Sequence, residues 1–82
     1  VIYQISWQTL PGMQGLTCSE FRATPTTAPD YERGVAVEIA TETDRDTLVE
    51  ELEAHFAWRR FTNAADAFDI VKAYIIEHAL HL

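Results

Sequence analysis

Three histidines, one cysteine and a run of carboxylates are the residues of this chain that could do chemistry. His78 and His81 stand three apart beside Glu77. At that spacing two imidazoles on a helix can share a divalent metal, provided that a third ligand arrives. His55 is the other imidazole, on an earlier segment. A structural role is the simpler reading, because His78 falls within an apolar stripe and histidines near a helix C-terminus are favoured by its dipole. No metal and no cofactor are expected.

Cys18 would serve as a nucleophile only if His55 or His78 approached it and lowered its pKa. No glycine elbow surrounds it, so it reads as a small packed side chain. Glu50 and Glu53 form a carboxylate pair three apart. General acid–base work needs two carboxyls with separated pKa values in a sheltered pocket, and the acidic neighbours of this pair imply full hydration. The chain also lacks a Walker A sequence, a GxGxxG, an EF-hand loop and an HExxH pattern. A non-enzymatic protein is expected, with no catalytic residues.

Those side chains must be positioned by elements that the hydropathy pattern marks out. Val1 to Gln8 alternates, with Val1, Tyr3, Ile5 and Trp7 on one face and Gln4, Ser6 and Gln8 on the other, as in a half-buried strand. Leu10-Pro11-Gly12 is expected to break it. Leu16 to Arg22 reads as a second strand pairing with the first, with Thr17, Ser19 and Phe21 on one face and Leu16, Cys18 and Glu20 on the other; a helical turn from Ser19 is the alternative. Ala23 to Arg33 has no period and reads as a loop with Asp30-Tyr31-Glu32-Arg33 at its tip. Gly34 to Thr41 is a third strand, with Val35, Val37 and Ile39 on one face.

Thr41-Glu42-Thr43-Asp44 opens the first helix, with Thr43 or Asp44 as cap, and the spacing predicts a helix from about Arg45 to Arg59. Leu48, Val49, Leu52 and Phe56 make its buried face. Thr62 or Asn63 caps a second helix running to Leu82, and the short link between the two favours a helical hairpin over a sharp change of direction. The expected fold is α+β, a single domain over residues 1–82: a small three-stranded antiparallel sheet followed by two helices on one face, β-β-β-α-α.

That last helix has more apolar surface than one core needs. Ala64, Ala67, Phe68, Val71, Tyr74, Ile75, His78 and Ala79 form one stripe, and Ala65, Ala73, Ile76 and Leu80 form a second almost opposite. The second stripe either closes a sheet edge or meets a partner. Trp58 presents a similar choice, since it lies away from the Leu48–Leu52–Phe56 face. It is expected to cover a core edge where the helix bends or ends. The alternative is an aromatic anchor beside Arg59 and Arg60.

Charge narrows the classes of function. The net charge is −7, with six Lys and Arg among 82 residues. Such a field repels phosphate backbones and excludes direct nucleic-acid binding as a first reading. Seven of the thirteen acids fall between Glu38 and Glu53. They read as a hydrated helix face or as a docking surface for a basic groove. One cysteine, no long apolar run and no signal-peptide pattern point to the cytoplasm and away from a membrane.

The first expectation is therefore an interaction module: an adaptor, regulator or inhibitor. It would be a homodimer through Ala73, Ile76 and Leu80, with Glu50, Glu51, Glu53 and Trp58 meeting a basic, nucleic-acid-binding partner protein. The alternative is a small-ligand-binding or catalytic domain, its pocket between the sheet and the 23–33 loop and lined by Tyr3, Trp7 and Tyr31.

Overall fold

The alternating start of the chain opens a long hairpin. In the computed structural model, which describes residues 1–81, β1 (Ile2–Gly12) and β2 (Gly15–Pro25) pair antiparallel from Tyr3↔Pro25 to Gly12↔Gly15. Met13 and Gln14 make the turn. Gly15 leaves it at φ +120, where a Cβ would also stand 2.4 Å from the Phe61 carbonyl oxygen. Only glycine tolerates both conditions.

β3 (Val35–Glu38) lies on the far side of β1, pairing Ile2↔Glu38 through Ile5↔Val35. Both neighbours of β1 run antiparallel to it, so β2 and β3 run parallel and the segment between them must cross β1. Residues 26–34 make that crossing as a strap over the face opposite Tyr3 and Ile5. The Gln4 side-chain amide holds it like a strand partner: Nε2 donates to the Asp30 carbonyl, and the Asp30 N–H donates to Oε1, each at 2.8 Å. Gly34 fits against the Ile5 carbonyl, where a Cβ would come within 2.2 Å.

On the other face lie α1 (Glu42–Phe56) and α2 (Ala64–Leu80). The Thr41 hydroxyl accepts from the Asp44 N–H at 3.1 Å, and the Asn63 side-chain oxygen accepts from the Asp66 N–H at 2.9 Å. Each cap satisfies an amide that the first turn leaves free. Leu48, Leu52 and Phe56 of α1 and Ala67, Val71 and Ile75 of α2 are buried against Tyr3, Ile5, Cys18, Phe21, Val35 and Ile39. The α+β class and the placement of both helices on one sheet face agree with the sequence reading.

β2 runs on to Pro25 and β3 stops at Glu38, while the expected helix end at Leu82 lies outside the described residues. Four further details differ. The sheet has four strands in the order β3-β1-β2-β4, because Arg60–Phe61 (β4) pairs with Leu16 and Thr17 between the two helices. The link is thus a strand and not a simple helical turn. α1 starts three residues earlier and ends at Phe56, because Thr41 and not Thr43 or Asp44 is its cap. Pro11 does not break β1; beyond Ile5 that strand has no neighbour on its β3 side, so a missing N–H costs nothing to the sheet.

The fourth difference is the facing of β2. A bulge between Ser6↔Arg22 and Gln8↔Ser19 inserts one residue, and Glu20 takes φ +54 there. The insertion reverses the phase of the alternation. Cys18 before it and Phe21 after it both face the core, whereas the simple period set them on opposite sides.

Candidate functional site

Cys18 is 2% exposed at the floor of a depression of about 180 Å³ whose rim includes Glu20, Glu53 and Ala57. Burial pushes its thiol pKa up from the ordinary value. No histidine lines this depression. The geometry therefore gives Cys18 no histidine partner, and its pKa is shifted away from an active thiolate.

The imidazoles are occupied elsewhere. His55 of α1 stacks on the Tyr74 ring of α2 at a centroid distance of 4.3 Å, and His78 lies against that ring at 4.2 Å. The phenol thus separates the two imidazoles, and Tyr74 also meets Phe56 edge-on at 5.2 Å. This aromatic stack joins the helices, with Tyr74 and His78 half-buried. Burial first, then the nearby charges of Glu51 and Glu77, push the Tyr74 phenol pKa up. His81 is exposed, and its backbone N–H donates to the His78 carbonyl at 3.1 Å to close the helix. Among the described residues no three His, Cys, Asp or Glu side chains converge as metal ligands.

The acids of α1 divide between its two flanks. Glu50, with Asp46 and Arg45, borders an open groove of about 490 Å³ whose opposite wall is Arg22 and Thr24 of β2. Glu53 stands farther along the same flank, across the Cys18 depression from Glu20. Glu51 points the other way, close enough for its charge to act on Tyr74. All three are exposed, yet only Glu50 and Glu53 share a surface. Arg45 tempers the groove, donating to Asp46 at 3.0 Å while its guanidinium lies 5.6 Å from the Tyr3 ring centroid.

Trp58 corrects the sequence reading. α1 does end early, as that reading required, but Trp58 covers no core edge: it is 93% exposed. The two residues after it turn back onto the domain. Arg59 sits over the Phe61 ring at 5.4 Å, and the Arg60 guanidinium donates to Gln14 Oε1 at 2.9 Å. The indole is left as a solvent-facing aromatic just before two anchored arginines.

On α2 the second stripe is uncovered. Ala65 and Ala73 are exposed, Ile76 is 42% exposed and Leu80 is 80% exposed. Asp69 and Lys72 share that outward band. Sequence reasoning missed Ile70, a further exposed apolar residue one step before buried Val71; its offset of about 100° from the core was the available signal.

Tyr3, Trp7 and Tyr31 do not gather around a common pocket. Tyr3 is buried on the helix side, and Trp7 packs there against Phe21 and Phe68 at 6.0 and 5.7 Å. Tyr31 is exposed on the strap, which crosses the opposite face. Compared with known proteins, the chain matches no family model, and no curated protein and no solved structure matches it either.

Proposed function

We propose that this chain is a non-enzymatic protein–protein interaction module of the cytoplasm, a homodimer through α2 that offers its acids and Trp58 to a basic partner protein. The observation that carries the reading is the double-sided α2. Its inner face fills the core with Ala67, Val71 and Ile75, while Ile76 and Leu80 stand in water on the outer one. Fully withdrawing such a side chain from water contributes about 1.5–3 kcal/mol, and Ile76, at 42% exposed, has less than half of that left to gain. A small domain gains most from such an association, since its own core is limited.

The second half of the reading concerns charge. A net charge of −7 disfavours nucleic acid itself and favours a basic protein, including one whose groove holds nucleic acid, as in an inhibitor or regulator. Glu50 and Glu53 would steer such a partner, and Trp58 would supply an apolar anchor.

Light-scattering mass across a dilution series tests the dimer. The expected result is a concentration-dependent dimer that Ile76→Asp reduces to a folded monomer. A wild type that remains monomeric at millimolar concentration would remove the homodimer from this reading.

A further inference from the structure

The outward band of α2 holds two opposite charges as well as its apolar side chains. Asp69 and Lys72 are both exposed, and neither takes part in an ion pair among the described residues. Lys72 is the single lysine of the chain. Both lie within the turn-to-turn run that links Ala65 to Ile76 on the helix surface.

A second copy of this chain would present the same band. A two-fold axis perpendicular to the helices runs them antiparallel and sets each contact twice, whereas an axis along them would oppose Asp69 to Asp69 and Lys72 to Lys72. Overlap of the full helices, Ala64 opposite Leu80, would oppose Lys72 to itself. A slip of three residues, Ala64 opposite Glu77, removes that clash and sets Asp69 opposite Lys72 in both directions. It also sets the small Ala65 opposite the larger Ile76, twice, as close helix packing requires. Placing Ile76 opposite itself would shorten the overlap to residues 72–80 and leave Asp69 beyond the partner's end. Charge and shape thus select one register out of three.

Resting on the reading of α2 as a self-association surface, we propose that α2 pairs antiparallel with α2 of a second copy, with Asp69 opposite the Lys72 of its partner. The overlap covers residues 64–77, about 20 Å of helix, so that Ile76 lies inside it and Leu80 just past the partner's first turn.

Sedimentation equilibrium on the wild type, Asp69→Lys, Lys72→Glu, the double variant and Ile76→Asp tests this register, with circular dichroism to verify that each is folded. Each single charge reversal should weaken the dimer by about tenfold or more, because two like-charge contacts replace two ion pairs. The double variant should return to within about threefold of the wild type. Asp69→Lys is the sharper single test, because it lowers the net negative charge and yet should weaken association. If the dimer is lost in Ile76→Asp but unmoved by either charge reversal, or is not rescued in the double variant, the register is wrong while self-association through α2 stands. If the wild type is monomeric, or Ile76→Asp leaves the dimer intact, both the register and the α2 dimer fall.

Discussion

At Glu20 the backbone takes φ +54, the one positive value outside glycine among the described residues. An L side chain in that region costs about 1–2 kcal/mol relative to the right-handed regions. Glu20→Gly should therefore stabilise the domain by about 1 kcal/mol, seen as a higher urea midpoint with an unchanged slope. A drop in the midpoint would mean that the Glu20 side chain contributes more than its backbone costs. The signal for this bulge was present but faint: Cys18 and Phe21 are both apolar at a spacing of three, which an unbroken strand cannot bury on one face. Glutamate at the bulge, where glycine would be usual, hid it.

Tyr74 yields a pH prediction at the same scale. Its phenol titrates above the ordinary value of 10.0 in the folded protein. In that alkaline window the unfolded chain has lost the proton and the native state still holds it, so unfolding free energy falls as pH rises. Below the ordinary value the contribution is fully present. Tyr74→Phe should flatten this alkaline loss in denaturant titrations at several pH values above 9.5 or so. An identical decline in both proteins would assign the alkaline sensitivity to other groups. The His55–Tyr74–His78 stack behind this effect was not legible in the sequence, since it joins residues of two helices whose relative rotation no periodicity reveals.

Among the elements, α2 was the most legible because three signals agree on it. Asn63 caps it, a strong apolar stripe fixes its inner face, and the second stripe emerges exposed. Asn63→Ala should lower stability by about 1 kcal/mol, measured by thermal melting, through loss of the bond from the Asp66 N–H. An unchanged melting temperature would mean that water replaces the cap at no cost. α1 was harder to bound, because Thr41, Thr43 and Asp44 are all capable caps and only the structure selects Thr41. β4 was illegible for a simpler reason. Two residues have no period, and Arg60–Phe61 becomes a strand only because the start of β2 offers a free edge.

At the scale of the whole molecule, charge and exposed apolar groups are segregated. Glu50 and Glu53 flank the β2 side of α1, whereas the outward band of α2 carries Ile76 and Leu80. A basic partner and a second copy could then bind without competing. With an oligolysine peptide as probe at low salt, Glu50→Lys with Glu53→Lys should weaken binding by about tenfold or more. Glu51→Lys alone should do less, because Glu51 faces Tyr74 on the other flank. Equal weakening by Glu50→Lys, Glu53→Lys and Glu51→Lys taken singly would locate the attraction in the overall net charge. Added salt should weaken the wild-type interaction as exposed charges are screened. The three glutamates looked alike in the sequence; their division between two flanks depends on how α1 is rotated against β2.

The strap over β1 has a consequence for the order in which this domain assembles. The β1–β2 hairpin closes across a two-residue turn, whereas β3 can find β1 only after residues 26–34 have wrapped over it. Local pairing precedes distant pairing when loop closure is the larger entropic barrier. The hairpin is then the natural nucleus, and docking of β3 under its Gln4 clamp a late event. Gln4→Ala should consequently speed unfolding in stopped-flow experiments and leave the refolding rate nearly unchanged. A refolding rate that fell in step with stability would instead put the wrapped strap in the transition state, and the chain would have to thread its crossing before it could commit to the fold.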